Sequence, residues 1–272
     1  MAYNTMTREE WLAALADAGT GLENSDSSDQ DRAHFILDRL DHENQLMAIR
    51  GLLERNKAAD KQLEDERREI IASIERSSDP AQEHWEDEHD LTVRAMIYQS
   101  AAHSMAALGM IVPMYESMFR HSFHGIAEAF RKAGASLHAH RRDGMRKVDF
   151  WDCRFVYSET RKDKWEKDVV AGIMELADAI GLTLPDGLEG LLEALFDYRN
   201  RMFHCGFEWP KDECLKFAKE IEARKWEGWF ERWERGDEPW MFHMADEFIK
   251  YCLEMIDKVL DALDGIARTN CR

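Results

Sequence analysis

Apolar residues recur at helical spacing along most of this chain, and the clearest run is Leu188, Leu191, Leu192 and Leu195, whose stripe continues through Arg199 to Met202. The spacing predicts a helix over Pro185 to His204 with Arg199 facing inward. A guanidinium keeps its charge at any accessible pH, so an inward one requires a carboxylate, a phosphate or a wet cleft. The same periodicity predicts a short helix over Arg8 to Ala18, a polar linker at Ser25 to Asp29, and a long helix from Gln30 to Arg76. Apolar positions of that long helix thin out between Glu54 and Arg68, so this stretch either projects into solvent or bends. Ser77-Ser78-Asp79-Pro80 with Gln82 caps a second long helix, whose stripe runs from Leu91 through Tyr98 and Met105 to Val112. Pro113 is expected to kink it without stopping it, because Tyr115, Met118, Phe119, Phe123, Ile126 and Phe130 continue the period.

Past Phe130 the pattern breaks. The segment Arg131 to Arg154 is basic and irregular, and Val148 to Tyr157 is the one place where a short strand is conceivable. Helices resume over Glu159 to Ile180, Pro185 to His204, Pro210 to Lys225 and Pro239 to Ile266. Between the last two, Trp226, Trp229, Trp233 and Trp240 crowd into a charged stretch with Gly228, Gly236 and Pro239, read as an irregular insertion near 225–240. Tryptophans at this density either pack a core or form a contact surface able to stack unpaired bases. The resulting fold class is all-α, an up-and-down helical bundle with long helices. The domain division is a short helix and linker over 1–28 followed by one helical domain over 29–272, with a basic insertion near 131–158.

Composition supports the helical reading, with only 5 Pro and 15 Gly in 272 residues. The five cysteines, Cys153, Cys205, Cys214, Cys252 and Cys271, show no paired spacing and read as reduced thiols. Glu9 and Glu10 stand where a signal peptide would be basic, and the longest apolar run, Met105 to Val112, is too short to span a bilayer. A cytoplasmic protein without membrane attachment is expected. The net charge of −18 opposes binding of any polyanion over most of the surface. One stretch runs against that average: Arg131, Lys132, Arg141, Arg142, Arg146 and Lys147 meet a single acid, Asp143. It is either a solvated loop or a place where RNA is held by Arg141, Arg142, Arg146 and Lys147.

Candidate chemistry concentrates at Arg199-Asn200-Arg201-Met202-Phe203-His204, ahead of Cys205-Gly206. An arginine, usually a polar residue, and a histidine after four to six intervening residues mark the signature of HEPN domains, small helical bundles, which Arg199, Asn200 and His204 resemble. By spacing alone roughly two or three such matches arise by chance in a chain with these counts. Arg131 to His138 is one, but it leads into a loop, whereas Arg199 to His204 ends a strongly periodic helix and is followed by another. The resemblance covers about Pro185 to Ile266. It implies a homodimer in which two such helix ends build one composite site, with Arg199, Asn200 and His204 acting in metal-independent RNA cleavage. It also implies a toxin or phage-defence setting in which an antitoxin or other protein is a partner. Where relatives controlled by a nucleotidyltransferase carry a tyrosine two residues after the histidine, this chain has Gly206.

An imidazole suits this reaction because it exchanges protons near neutrality, while a guanidinium holds phosphate charge. Arg199 could equally form a structural salt bridge, and His204 could cap the helix C-terminus. Residues five apart on a helix diverge by roughly 140°, so Arg199 and His204 of one chain do not converge alone. Metal ligation is the rival chemistry. Glu86 and His89 form one Glu-x-x-His pair without a second, and the pairs His121 with His124 and His138 with His140 lack an acid or cysteine frame. No metal or cofactor is expected. The competing function is a non-catalytic helical interaction protein that uses Trp226 to Trp240 or the charged helix Glu54 to Arg68.

Overall fold

The structure, a computed structural model, describes residues 41–78, 81–133 and 140–268. The expected first helix Arg8 to Ala18, the linker, the boundary at 28, the start of the long helix, Asp79 and Pro80 of the cap, and His138 lie outside these residues. Among those described, six α-helices carry most of the chain: α1 (His42–Arg76), α2 (Ala81–Ala133), α3 (Val169–Ile180), α4 (Leu188–Cys205), α5 (Lys211–Arg224) and α6 (Asp246–Arg268). Two antiparallel hairpins, β1 (Phe155–Tyr157) with β2 (Trp165–Lys167) and β3 (Phe230–Arg235) with β4 (Glu238–Met244), qualify the all-α expectation. The molecule is mostly helical. Helix α1 runs unbroken through the charged stretch, and α2 continues through Pro113. By length and composition α2 contains the one described helix apolar enough to cross a membrane, and 44% of its most apolar window is buried within the protein.

The chain divides into two compact units whose boundaries fall inside α1, α2, α4 and α6. The first contains 41–43, 113–193 and 254–268. Its core includes Met114, Tyr115, Met118, Phe119, Phe123 and Ile126 of α2, with Ile173, Leu176 and Ile180 of α3, all buried. Asp168 caps α3 by accepting from the Ala171 amide at 3.0 Å. Gly172 fits where no other residue can: a Cβ there would sit 2.2 Å from the carbonyl oxygen of Cys153. That contact lets α3 pack directly on the irregular chain before β1. The helix expected from Glu159 begins only at Val169, because Trp165–Lys167 pairs with Phe155–Tyr157 instead.

The second unit contains 44–112 and 194–253. Its centre is aromatic. Tyr198, Phe217, Phe242 and Trp226 are all nearly inaccessible, and Tyr198 stacks on Phe217 with ring centroids 5.7 Å apart while its hydroxyl donates to the Phe242 carbonyl at 2.9 Å. The Trp-rich stretch is a hairpin, not an irregular insertion, and the last helix starts at Asp246, not Pro239. Trp229 stacks on Phe248 at 4.7 Å, and Trp233 and Trp240 pack against Ile97, Ala101 and Met241. These tryptophans pack the unit. On α1, Lys57 pairs with Asp246 at 2.6 Å, so part of the charged stretch is tied down by ions rather than apolar contacts.

Candidate functional site

At the end of α4, Tyr198 takes the buried position and Arg199 is displaced to half-exposure. The expectation that Arg199 faces inward is therefore corrected. Successive helical residues step by about 100°, and the phenol ring, whose hydroxyl finds a carbonyl, fills the core position that a guanidinium could fill only with a carboxylate beside it. Arg199 instead donates to Asn200 Oδ1 at 3.3 Å and lies over the Phe203 ring at 5.6 Å. Asn200 and His204 are exposed, and Phe203 is 58% exposed. Gly206, with φ of +75°, donates its amide to the Met202 carbonyl at 3.0 Å and closes the helix. The His204 imidazole has no hydrogen-bond partner among the described residues.

Arg201, two residues on, has the opposite surroundings. Its guanidinium reaches Asp197 at 2.5 Å, Glu220 at 2.6 Å and Glu213 at 3.8 Å, and sits 4.9 Å over the Phe217 ring. Burial, with Asp197 alongside, pushes the Glu220 carboxyl up from its ordinary range. One arginine thus holds three acids, and its neighbour Arg199 holds none among the described residues.

The basic segment belongs to the first unit and is divided between two roles. Arg142 is 1% exposed and cannot touch RNA, which corrects its expected place in that set. Its guanidinium donates to the carbonyls of Phe150 (2.8 Å), Phe155 (2.8 Å) and Asp152 (3.0 Å) and to Glu175 of α3 at 2.6 Å. Burial alone would raise the Glu175 carboxyl, but the Tyr157 amide, Arg142 and Arg141 outweigh it and hold the group below its ordinary value. Arg141 pairs with the same carboxylate at 2.5 Å while staying exposed, and Arg146 and Lys147 are exposed. Three of the four remain open to solvent.

Among the described residues no group of three or more His, Cys, Asp or Glu side chains is arranged to hold a metal ion. His89 lies 3.7 Å from Asp90. A feature the sequence reading passed over is a cleft of about 650 Å³ in the first unit, walled by α2 and the chain around Trp151. Its signal was available: Arg120, His124, Ala127 and Arg131 fall on one stripe of α2. Comparison with protein-family models, with curated proteins and with solved structures returned no match to this chain.

Proposed function

We propose that the protein binds and cleaves RNA without a metal ion, as a homodimer in which Arg199, Asn200 and His204 of two α4 ends form one composite site. The observation that carries this reading is the contrast at the end of α4. In a chain of net charge −18, Arg201 is held by carboxylates, whereas among the described residues Arg199 meets only an amide and an aromatic ring, and His204, turned away from it on the same helix end, is exposed. An accessible guanidinium without an acid partner suits a phosphate, and an accessible imidazole suits transfer of the ribose 2′-OH proton. In such a reaction His204 takes the 2′-OH proton or gives one to the leaving 5′-oxygen, and Arg199 stabilises charge on the phosphate. The exposed Phe203 supplies apolar area for a two-fold contact. The resemblance to HEPN domains points the same way, and the toxin or phage-defence setting with an antitoxin partner follows from it alone.

The test incubates RNA with the protein and excess chelator. Cleavage leaving 2′,3′-cyclic phosphate ends, lost in His204→Ala while the helical circular-dichroism signal persists, is the expected result. Cleavage that survives the change would overturn the assignment of His204. A protein that binds and cuts no RNA would instead favour the interaction-protein reading.

A further inference from the structure

We propose that the cleft of the first unit is a separate binding site for a nucleotide, with the phosphate held by Arg120 and His124 and the base laid on Trp151. The inference goes beyond the reading of α4 and does not rest on it. The cleft measures about 650 Å³, within the range of roughly 300 to 1,000 Å³ typical of small-molecule sites. One wall is α2, where Arg120 and His121 are adjacent and His124 stands one turn further on. The other is the chain from Asp149 to Arg154.

By formal count three guanidiniums meet three carboxylates in this cleft, but their partners differ. Glu128 is engaged by Arg131, and Asp152 takes Arg154 through two contacts, of 2.9 Å and 2.7 Å. Asp149 accepts the Trp151 amide at 2.8 Å, which fixes the turn that presents the indole. Arg120, His121 and His124 have no ion-pair or hydrogen-bond partner among the described residues. Glu128 and Asp152 are thus hydrogen-bonded by Arg131 and Arg154, whereas Arg120 acts on Asp152 only through its field and keeps its own donors for a ligand. A guanidinium flanked by imidazoles matches a phosphate group, whose several oxygens accept from more than one donor. Trp151, half-buried and braced by the edge of Phe150 at 5.2 Å, offers the aromatic surface that a phosphate alone would not use.

The shared chemistry, a phosphate joined to a flat heteroaromatic ring, is found in a free mononucleotide and in one residue of an RNA strand. Calorimetric titration of the full chain with AMP, adenosine and inorganic phosphate, repeated with His204→Ala, tests the site independently of any cleavage at α4. Saturable AMP binding in both proteins is expected, with adenosine and phosphate each at least about tenfold weaker and Arg120→Glu weakening AMP by about tenfold or more. Arg120 is exposed, so circular dichroism of the variant should be unchanged. A single-stranded oligoadenylate that displaces AMP assigns the site to a strand. One that does not leaves the free nucleotide as the ligand. Absence of AMP binding, binding indifferent to Arg120→Glu, or phosphate binding as tight as AMP would overturn the proposal. Trp151→Leu gives a second reading: it should weaken AMP while leaving the affinity for inorganic phosphate unchanged.

Discussion

Arg199 and Arg201 are separated by one residue on the same helix and have opposite surroundings. Removing Arg201 leaves Asp197, Glu213 and Glu220 without their shared cation, so Arg201→Ala should cost about 1.5 to 3 kcal/mol in a denaturant titration. Arg199→Ala should cost less than about 1 kcal/mol, since it loses one amide contact and an exposed ring contact. Its effect belongs in RNA affinity or cleavage. A loss of stability for Arg199→Ala equal to that of Arg201→Ala would make Arg199 a structural residue. Protonation adds a second prediction at this scale. Burial lowers the pKa of His42, with both ring nitrogens lacking partners and His121 nearby, and burial likewise lowers that of His243. A histidine whose folded pKa is depressed favours the neutral form, so the folded state binds fewer protons than the unfolded chain below the ordinary value of 6.5. Stability is therefore expected to fall as pH drops below that value, and His42→Phe should flatten the fall. An equal slope in the variant would remove His42 from the account.

Elements were legible where periodicity was strong. The stripes of α1, α2 and α4 follow from spacing, and α5 lies within a residue of its expected ends. The β3–β4 hairpin was hidden because Pro239 imitates a helix start and because only Phe230 of β3 is fully buried. Its sign was the two-residue Gly236-Asp237 turn between charged strands, with a register shift at Trp233/Glu234 where Pro239 joins the ladder. The candidate site was legible as a string of residues but not as a geometry. Tyr198 and Arg199 are adjacent, and a helical stripe cannot say which of two neighbours the core accepts. Close packing of elements leads to a paired test on glycines. Gly172→Ala drives a Cβ against the Cys153 and Phe155 carbonyls and should destabilise by about 2 kcal/mol or more. Gly190→Ala in α4 meets open space and should be neutral or stabilise by up to about 1 kcal/mol. Similar melting shifts for the two would contradict the close approach of α3.

For the whole molecule the dominant quantity is charge. At −18, binding of RNA depends on local exceptions to a repulsive field, and each phosphate contact to a single strand contributes about −0.7 to the slope of log affinity against log salt. Converting the exposed Arg141, Arg146 and Lys147 to alanine should weaken RNA binding and reduce the magnitude of that slope by up to about 2. Arg142 is left out of the set because it is buried. An unchanged slope would assign the segment to solvent alone. Each unit also gathers pieces distant in sequence, so neither can be excised as one continuous fragment. Truncations therefore test little, and point substitutions are the informative perturbation.

Between Met145 and Arg154 the chain has no helix or strand, yet three of its carbonyl oxygens or those just beyond it are satisfied by one side chain, that of Arg142. A guanidinium has here taken over much of the work of a backbone ladder, so, beside local turns such as Asp149 with the Trp151 amide, the conformation of this segment depends on one position outside itself. Lysine keeps the charge but lacks the planar fork, and it cannot reach Phe150, Asp152, Phe155 and Glu175 together. The change that substitution tables count as mild is the one to which this segment has least tolerance.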